Sequence, residues 1–514
     1  MKFSLKISAA LLLVLTSATI AATTEEIYKI PISRVYGPVR PSTVGRWTQT
    51  LRKYGITARS PGITTSKGPH SHGRIEDTTN LARIPLVDYD FDREYYGTVM
   101  IGEPPQAFKI DFDTGSSQFV ISAKDCEECS GATHYDPKMS TTFQATKASK
   151  PLHPSSSSSL TAPHDKSSSS LYGDNPQPWH ITYGDQSFAE GYLGRDRITL
   201  DGIQVQHQQL ALVTNESTGF DDTIDGIMGL AFGALSTSIA STKTVFENMM
   251  AQKLVRQGVF SFYLGKSSLN GGGEVIFGGM DLDRVEPGHT LTFTPVTKPK
   301  YWQINIGNIF VNGQVVRPGG GGNDDEDGGE GRGGGHKKGK ANLAGIMDTG
   351  TTLLVVPTKW AKAIHRKIRG SQELGSSWTV PCNLAIKATK GNKVEIEIEG
   401  KRFGIPFEDL VREETGEQPG RCYSGIQTSS ASFMIIGDVF IKNNYIVFDQ
   451  EKKRVGIAPL KLERRKTETA SLQAEASSNG VSDKSPPPSR RWEVQEESSD
   501  VDYSVSYDDS ELVK

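Results

Sequence analysis

Asp111-Phe112-Asp113-Thr114-Gly115-Ser116-Ser117 decides the fold, because the chain offers a counterpart more than two hundred residues later in Ile346-Met347-Asp348-Thr349-Gly350-Thr351-Thr352. Each Asp-Thr-Gly triplet ends an apolar run, Phe108 to Phe112 before the first and Gly345 to Met347 before the second. One such triplet arises by chance in roughly one chain in ten of this length, so a single copy means little. Two copies that both carry further hydroxyl side chains within four residues mean more. Turn chemistry alone, with Asp, Thr and Gly capping two strand-to-turn corners, is the alternative reading. One carboxylate is an ordinary base, whereas two at a shared site cannot both ionise cheaply and hold a proton between them. Such a pair can activate water.

Working outward, 514 residues leave room for two or three domains, and a formal net charge of -3 gives no nucleic-acid footprint. That balance conceals a gradient. Glu25 to Arg83 is rich in Arg and Lys, and Glu493 to Glu511 is strongly acidic. Lys2 and Lys6 precede a short apolar run, Ile7 to Ile20, followed by Ala21-Ala22. This order reads as a secretory signal peptide over residues 1–22, too short in its apolar core to span a bilayer comfortably. No other stretch is long and apolar enough to span, and Asp508-Asp509-Ser510-Glu511 lacks the tail of a glycolipid anchor, so no stable membrane anchor is expected. The destination is extracellular, with an acidic vacuole as the alternative.

Four cysteines in a secreted context imply two disulfides. Cys126 with Cys129 would close a very small loop, and Cys382 with Cys422 one of about forty residues, worth roughly 4 kcal/mol in the chain-entropy picture. Other pairings remain open. A redox or zinc role for Cys126-Glu127-Glu128-Cys129 has against it the absence of a second such pair and two glutamates that would raise a thiol's pKa. Asn215-Glu216-Ser217 is an N-glycosylation acceptor pattern.

Residues 23–83 form a basic leader in which hydrophobic periodicity is poor after Thr57. Beyond it short β-like runs dominate: Tyr95 to Ile101, Ala107 to Phe112, Gln118 to Ile121, Trp179 to Tyr183, Gly273 to Phe277, Trp302 to Ile306, Ile309 to Val316, Val394 to Ile398 and Tyr445 to Phe448. Helices are expected at Val245 to Gln257, stopped by Gly258, and at Thr358 to Arg369, where Trp360, Ile364 and Ile368 share one face. The class is all-β with a few short helices. A Ser-rich insertion over 145–178 and a Gly-rich one over 318–340 cannot bury a core and are expected as surface loops, and 461–514 is expected as a disordered acidic tail.

The chain resembles the pepsin-like aspartic proteases over most of Ile84 to Leu460. The likeness rests on the two triplets with their flanks and on Ile181-Thr182-Tyr183-Gly184-Asp185, Asp225-Gly226-Ile227-Met228-Gly229-Leu230-Ala231 and Ile435-Ile436-Gly437-Asp438-Val439-Phe440, in the family's order and approximate spacing. The resemblance implies a bilobal fold, residues 84–265 and 266–460, related by an approximate two-fold about a cleft that accepts an extended polypeptide. Asp113 and Asp348 would be the catalytic dyad, one protonated and one ionised, needing no metal, cofactor or covalent intermediate. Thr114 and Thr349 would cross-link the loops beneath them, each with its glycine, Gly115 or Gly350. Ser116 and Thr351 would hydrogen-bond the outer carboxylate oxygens. Tyr183, Gly184 and Asp185 would form the mobile hairpin that closes over substrate.

The likeness also implies a zymogen and a monomer. Ile27-Tyr28-Lys29-Ile30-Pro31 resembles the inhibitory prosegment, and Lys53-Tyr54 is the segment expected to enter the cleft. Cys126, Cys129, Cys382 and Cys422 match two of the family's bridges. Departures are Val120 where a tryptophan often bonds the hairpin tyrosine, Gln186 for a usual glycine, and a missing disulfide before the second triplet. The implied activity is acid-dependent endopeptidase cleavage between large apolar residues; a pepsin-fold binding protein without catalysis is the alternative.

Overall fold

The same four-strand ladder is built twice. In the first half Gln106–Asp113 runs parallel to Gly226–Gly229, which is antiparallel to Phe119–Ser122, which is parallel to Ile203–Glu216. In the second half Leu343–Met347 runs parallel to Met434–Ile436, which is antiparallel to Leu354–Pro357, which is parallel to Ile426–Ser429. Parallel neighbours bury both faces of a strand, which is why these segments read as continuous apolar runs rather than alternating ones. Ile110, Phe112, Met228, Met347, Leu354 and Ile436 are all buried. The computed structural model describes residues 28–31, 33–34, 47, 50–51, 53–54 and 95–461, except 128, 130, 149–174, 183–187, 218–223, 237–241, 267, 269–271, 319–342, 385–390 and 417.

The fold is mostly β and of the bilobal pepsin-like kind. A third sheet draws on both halves, in the order Tyr28–Pro31, Gly273–Phe277, Val259–Leu264, Asn444–Asp449, Arg454–Pro459, Thr292–Pro295. Its aromatic floor is tight: Phe260 stacks on Phe448 at 4.9 Å and meets Phe246 edge-on at 4.9 Å, while Trp302 lies 5.0 Å from Phe448. Such pairs add roughly 0.5–1.5 kcal/mol each beyond their buried area.

The leader is part of these sheets. Tyr28–Pro31 pairs antiparallel with Gly273–Phe277, and Ser33–Arg34 with Tyr95 and Tyr96. Trp47, Thr50, Leu51 and Lys53 are helical. Trp47 and Leu51 are buried in the main core cluster.

Several expected boundaries move. Ile309 to Val316 is not one strand but a hairpin, Ile309–Val311 with Gln314–Val315, because Asn312 and Gly313 take φ of 50° and 77° and reverse the chain. The helix from Val245 stops at Ala251; Thr244 and Glu247 form its capping box, and Lys253 at φ 58° prevents its continuation to Gln257. The second helix is Thr358–His365, shorter than expected, although Ile368 is still buried on the same side. The margins of the Ser-rich insertion are strand rather than loop: Ala145 pairs with Gly194 and Pro178 with Tyr192. The longest ladder, Phe188–Leu200 with Ile203–Glu216, has no counterpart among the expected strands.

Candidate active site

Asp113 closes strand Gln106–Asp113, and Asp348 follows directly on Leu343–Met347, so the repeated ladder delivers one carboxyl from each half. The two are 3 % and 0 % exposed, and a hydrogen bond links them. Ionised carboxylates that deep are costly unless partnered, and the surroundings supply the partners. Gly115 N–H donates to Asp113 Oδ1 at 2.7 Å, and Gly350 N–H to Asp348 Oδ1 at 3.1 Å. Thr351 Oγ1 donates to Asp348 Oδ2 at 2.5 Å, and Ser116 hydrogen-bonds Asp113.

The glycines cannot be anything else. A Cβ on Gly115 would stand 2.5 Å from Asp348 Oδ1, and one on Gly350 would stand 2.5 Å from Asp113 Oδ1. Each half thus leaves space for the other half's acid.

Beneath the carboxyls the threonines interlock. Thr114 N–H donates to Thr349 Oγ1 at 3.1 Å and Thr349 N–H to Thr114 Oγ1 at 3.0 Å. The hydroxyls donate onward across the pair, Thr114 to Met347 O at 2.9 Å and Thr349 to Phe112 O at 2.5 Å. All four polar groups are satisfied, as burial demands.

A second link escaped the sequence reading. Leu230 N–H donates to Asp113 O at 2.7 Å, Trp302 Nε1–H donates to Leu230 O at 2.9 Å, and Met347 N–H donates to Trp302 O at 3.1 Å. This relay joins the backbone under the first acid to the residue before the second. The signal available was a lone Trp302 opening an expected strand, where the bland reading as core filling is also true, since it is fully buried.

Lys53 enters from the leader. Its Nζ lies 2.6 Å from Asp113 Oδ1, 2.8 Å from Asp348 Oδ1 and 2.9 Å from Asp348 Oδ2. Tyr54 donates its hydroxyl to Asp348 Oδ2 at 2.8 Å, its ring 5.6 Å from Tyr301 and 6.0 Å from Phe433. Burial works against the Lys53 ammonium, but the two carboxylates outweigh it and raise its pKa. Burial and the Asp348 and Asp113 charges push the Tyr54 hydroxyl well above the usual range, so it stays a donor.

The acids themselves divide. Burial pushes Asp113 up; the Lys53 charge opposes this and the Asp348 charge adds to it, leaving the pKa raised. Burial pushes Asp348 up too, but Lys53 and the bonds from Lys53, Thr351 and Asp113 prevail and hold it below the ordinary carboxylate range. As the pair takes up a proton, these influences favour Asp113 over Asp348 as its holder.

Tyr183, Gly184 and Asp185, with Gln186, lie outside the described residues. The strands leading to and from them, Pro178–Thr182 and Phe188–Leu200, are paired. Val120 is partly buried beside a small cluster around Trp179, whose indole donates to Gln118 Oε1 at 3.1 Å. Both disulfides form, Cys126–Cys129 with Cα atoms 5.6 Å apart and Cys382–Cys422 at 4.9 Å. Asn215 is exposed on strand Ile203–Glu216 and donates to Glu190 Oε1 at 2.7 Å. Among the described residues no His, Cys, Asp and Glu group has the form of a metal site, and no helix is long and apolar enough to cross a membrane.

Residues 94–159 and 148–460 match the eukaryotic aspartyl protease family. The chain is 31% identical over 465 residues to rhizopuspepsin of Rhizopus chinensis, covering 90% of this chain and 100% of the relative. It is 33% identical over 379 residues to syncephapepsin of Syncephalastrum racemosum, covering 74% and 80%. It is 30% identical over 452 residues to pepsin A of Suncus murinus, covering 86% and 97%.

Proposed function

Given that the chain belongs to the eukaryotic aspartyl protease family and is an aspartic endopeptidase, we propose that Asp113 and Asp348 are its catalytic dyad, that it works in acid, and that residues 23–83 hold it inactive as a zymogen. The observation that carries this is the pair of buried carboxyls, one delivered by each half, each held by a glycine N–H and a neighbouring hydroxyl. Asp348, the better ionised, takes a proton from water as its oxygen attacks the scissile carbonyl carbon. Asp113 gives its proton to the carbonyl oxygen. As the resulting diol collapses, Asp348 gives the proton it took to the amide nitrogen, Asp113 recovers one from a diol hydroxyl, and the C–N bond breaks to release acid and amine.

Support for the zymogen reading is the position of Lys53 and Tyr54, which fill the place substrate and water need. Neutral pH keeps carboxylates ionised and Lys53 held; acid protonates them and loosens the grip. Secretion after loss of residues 1–22, lobes of 84–265 and 266–460, a separate tail over 461–514, closure by Tyr183, a glycan on Asn215 and cleavage between large apolar residues complete the proposal. The protein acts as a monomer.

The test is digestion of an unfolded protein at pH 3 to 4, with and without pepstatin, by the acid-treated chain and by Asp113→Asn and Asp348→Asn. Activity in the parent and a loss of about 10²–10⁴-fold in each variant are expected. A correctly processed parent without activity would sink the reading in favour of a binding protein.

A further inference from the structure

Among the described residues of the leader, Lys53 and Tyr54 enter the body side chain first, and so does Trp47. Its indole Nε1–H donates to Thr428 O at 2.6 Å, and Trp47 and Leu51 are 4 % and 2 % exposed. Thr428 belongs to Ile426–Ser429, which is the outermost strand of its five-stranded sheet. An outer strand presents backbone carbonyls with no neighbour to satisfy them, and here a leader side chain does so. The strand is itself well fixed: Thr428 Oγ1 donates to Thr358 Oγ1 at 2.9 Å, and Thr358 Oγ1 to Ser429 O at 3.0 Å.

The two anchors differ in kind. Lys53 is held by charge, facing Asp113 and Asp348 with the hydroxyls of Tyr54 and Tyr301 beside them, and carboxylates titrate in the acid range. Trp47 is held by burial and by a carbonyl, neither of which exchanges a proton there. We propose that the edge strand Ile426–Ser429 is a docking surface for the leader segment carrying Trp47 and Leu51, one that keeps its hold in acid after Lys53 has been loosened, so that release of the leader is completed by cleavage rather than by titration. This rests on the zymogen reading above.

If the cleft must open before the leader is cut, the cutting rate follows the open fraction, and any change that weakens an anchor raises it in proportion. The experiment uses the full chain, prepared at neutral pH and stepped to pH 6, 5 and 4, with leader cleavage followed by intact mass. Parent, Trp47→Ala, Trp47→Phe and Lys53→Gln are compared. Trp47→Ala should cut about tenfold faster at every pH, and Trp47→Phe, which keeps a buried ring but loses the N–H, about threefold faster at every pH. The acceleration from Lys53→Gln should shrink as pH falls.

Parental rates for both Trp47 variants, or an acceleration that fades in acid as it does for Lys53→Gln, would overturn the proposal. Should Trp47→Ala not fold, Trp47→Phe decides alone by the same criterion. A parent that neither trims itself nor digests protein at any pH overturns the zymogen reading, and this proposal with it; that outcome is recognised from the first sample, before any variant is considered.

Discussion

Thr114 and Thr349 each receive the other's backbone N–H, at 3.0 and 3.1 Å, across 235 residues of sequence. Neither donor has an alternative partner in a dry site, so removing one hydroxyl strands two groups at once: the N–H it accepted and the carbonyl it fed. Thr114→Val keeps the shape and removes the hydroxyl. It should cost about 1–3 kcal/mol of stability and, by letting the carboxyls drift, about 10²-fold in kcat. Thermal melting and steady-state kinetics check this, with Thr114→Ser expected to restore most of both. Full activity in the valine variant would mean the interlock does not position the acids.

Ser116 and Thr351 should move the pH profile in the same sense but on opposite limbs. Each bond favours the ionised form of its acid, so its loss raises that pKa. In the proposed mechanism Asp348 is the base and must be ionised; Thr351→Ala is therefore expected to shift the acid limb to higher pH and narrow the profile. Asp113 is the proposed acid and must keep its proton; Ser116→Ala is expected to shift the alkaline limb to higher pH and widen it. Shifts of about one pH unit are expected in kcat/KM against pH. Exchange of the two limbs between the variants would reverse the assignment of base and acid, and movement of the same limb in both would overturn the separation of roles.

His365 sets a limit on acid stability. It is 1 % exposed, stacked on Trp378 at 4.3 Å, with Nδ1 against Ala361 O at 2.8 Å and Nε2 against Ser424 Oγ at 2.9 Å. Burial lowers its pKa to about 4. The unfolded chain takes up this proton near pH 6.5 and the folded chain only near pH 4, so stability falls across that window and levels off below it. The loss is about 3 kcal/mol. In an Asp348→Asn background, chosen to suppress self-digestion on the proposed role of Asp348, His365→Gln should show a drop in Tm between pH 7 and pH 4 smaller by several degrees. An unchanged drop would place the acid sensitivity elsewhere.

What was legible before coordinates follows from which signals are local. The two acids, their hydroxyls and the apolar strands beneath them are written as contiguous runs, and Tyr95–Ile101 and Gly273–Phe277 form with the bounds read from sequence. Hairpins were lost where a two-residue turn sits inside an apolar run. Asn312-Gly313 reverses one such run, and Asp201-Gly202, at φ 44° and 91°, joins the unread ladder Phe188–Leu200 to Ile203–Glu216. Both are the dipeptides that favour such turns, so the signal was present. The early end of the first helix was not: exposed Lys253 takes the left-handed conformation at φ 58° that glycine or asparagine would ordinarily mark, so no residue type announced the stop. The Trp302 relay and the Trp47 anchor use backbone carbonyls as partners, and every residue has one, so no residue type marks them.

The interlock of Thr114 with Thr349 also bears on synthesis. A ribosome adding about 5–20 residues per second reaches the second triplet on the order of tens of seconds after the first. Through that interval the nascent polypeptide holds a solitary acid with no counterpart, and the leader whose Lys53 and Tyr54 meet the finished pair has already been made. On the proposed zymogen reading, birth order protects the cell: the guard emerges first, and the blade is assembled last.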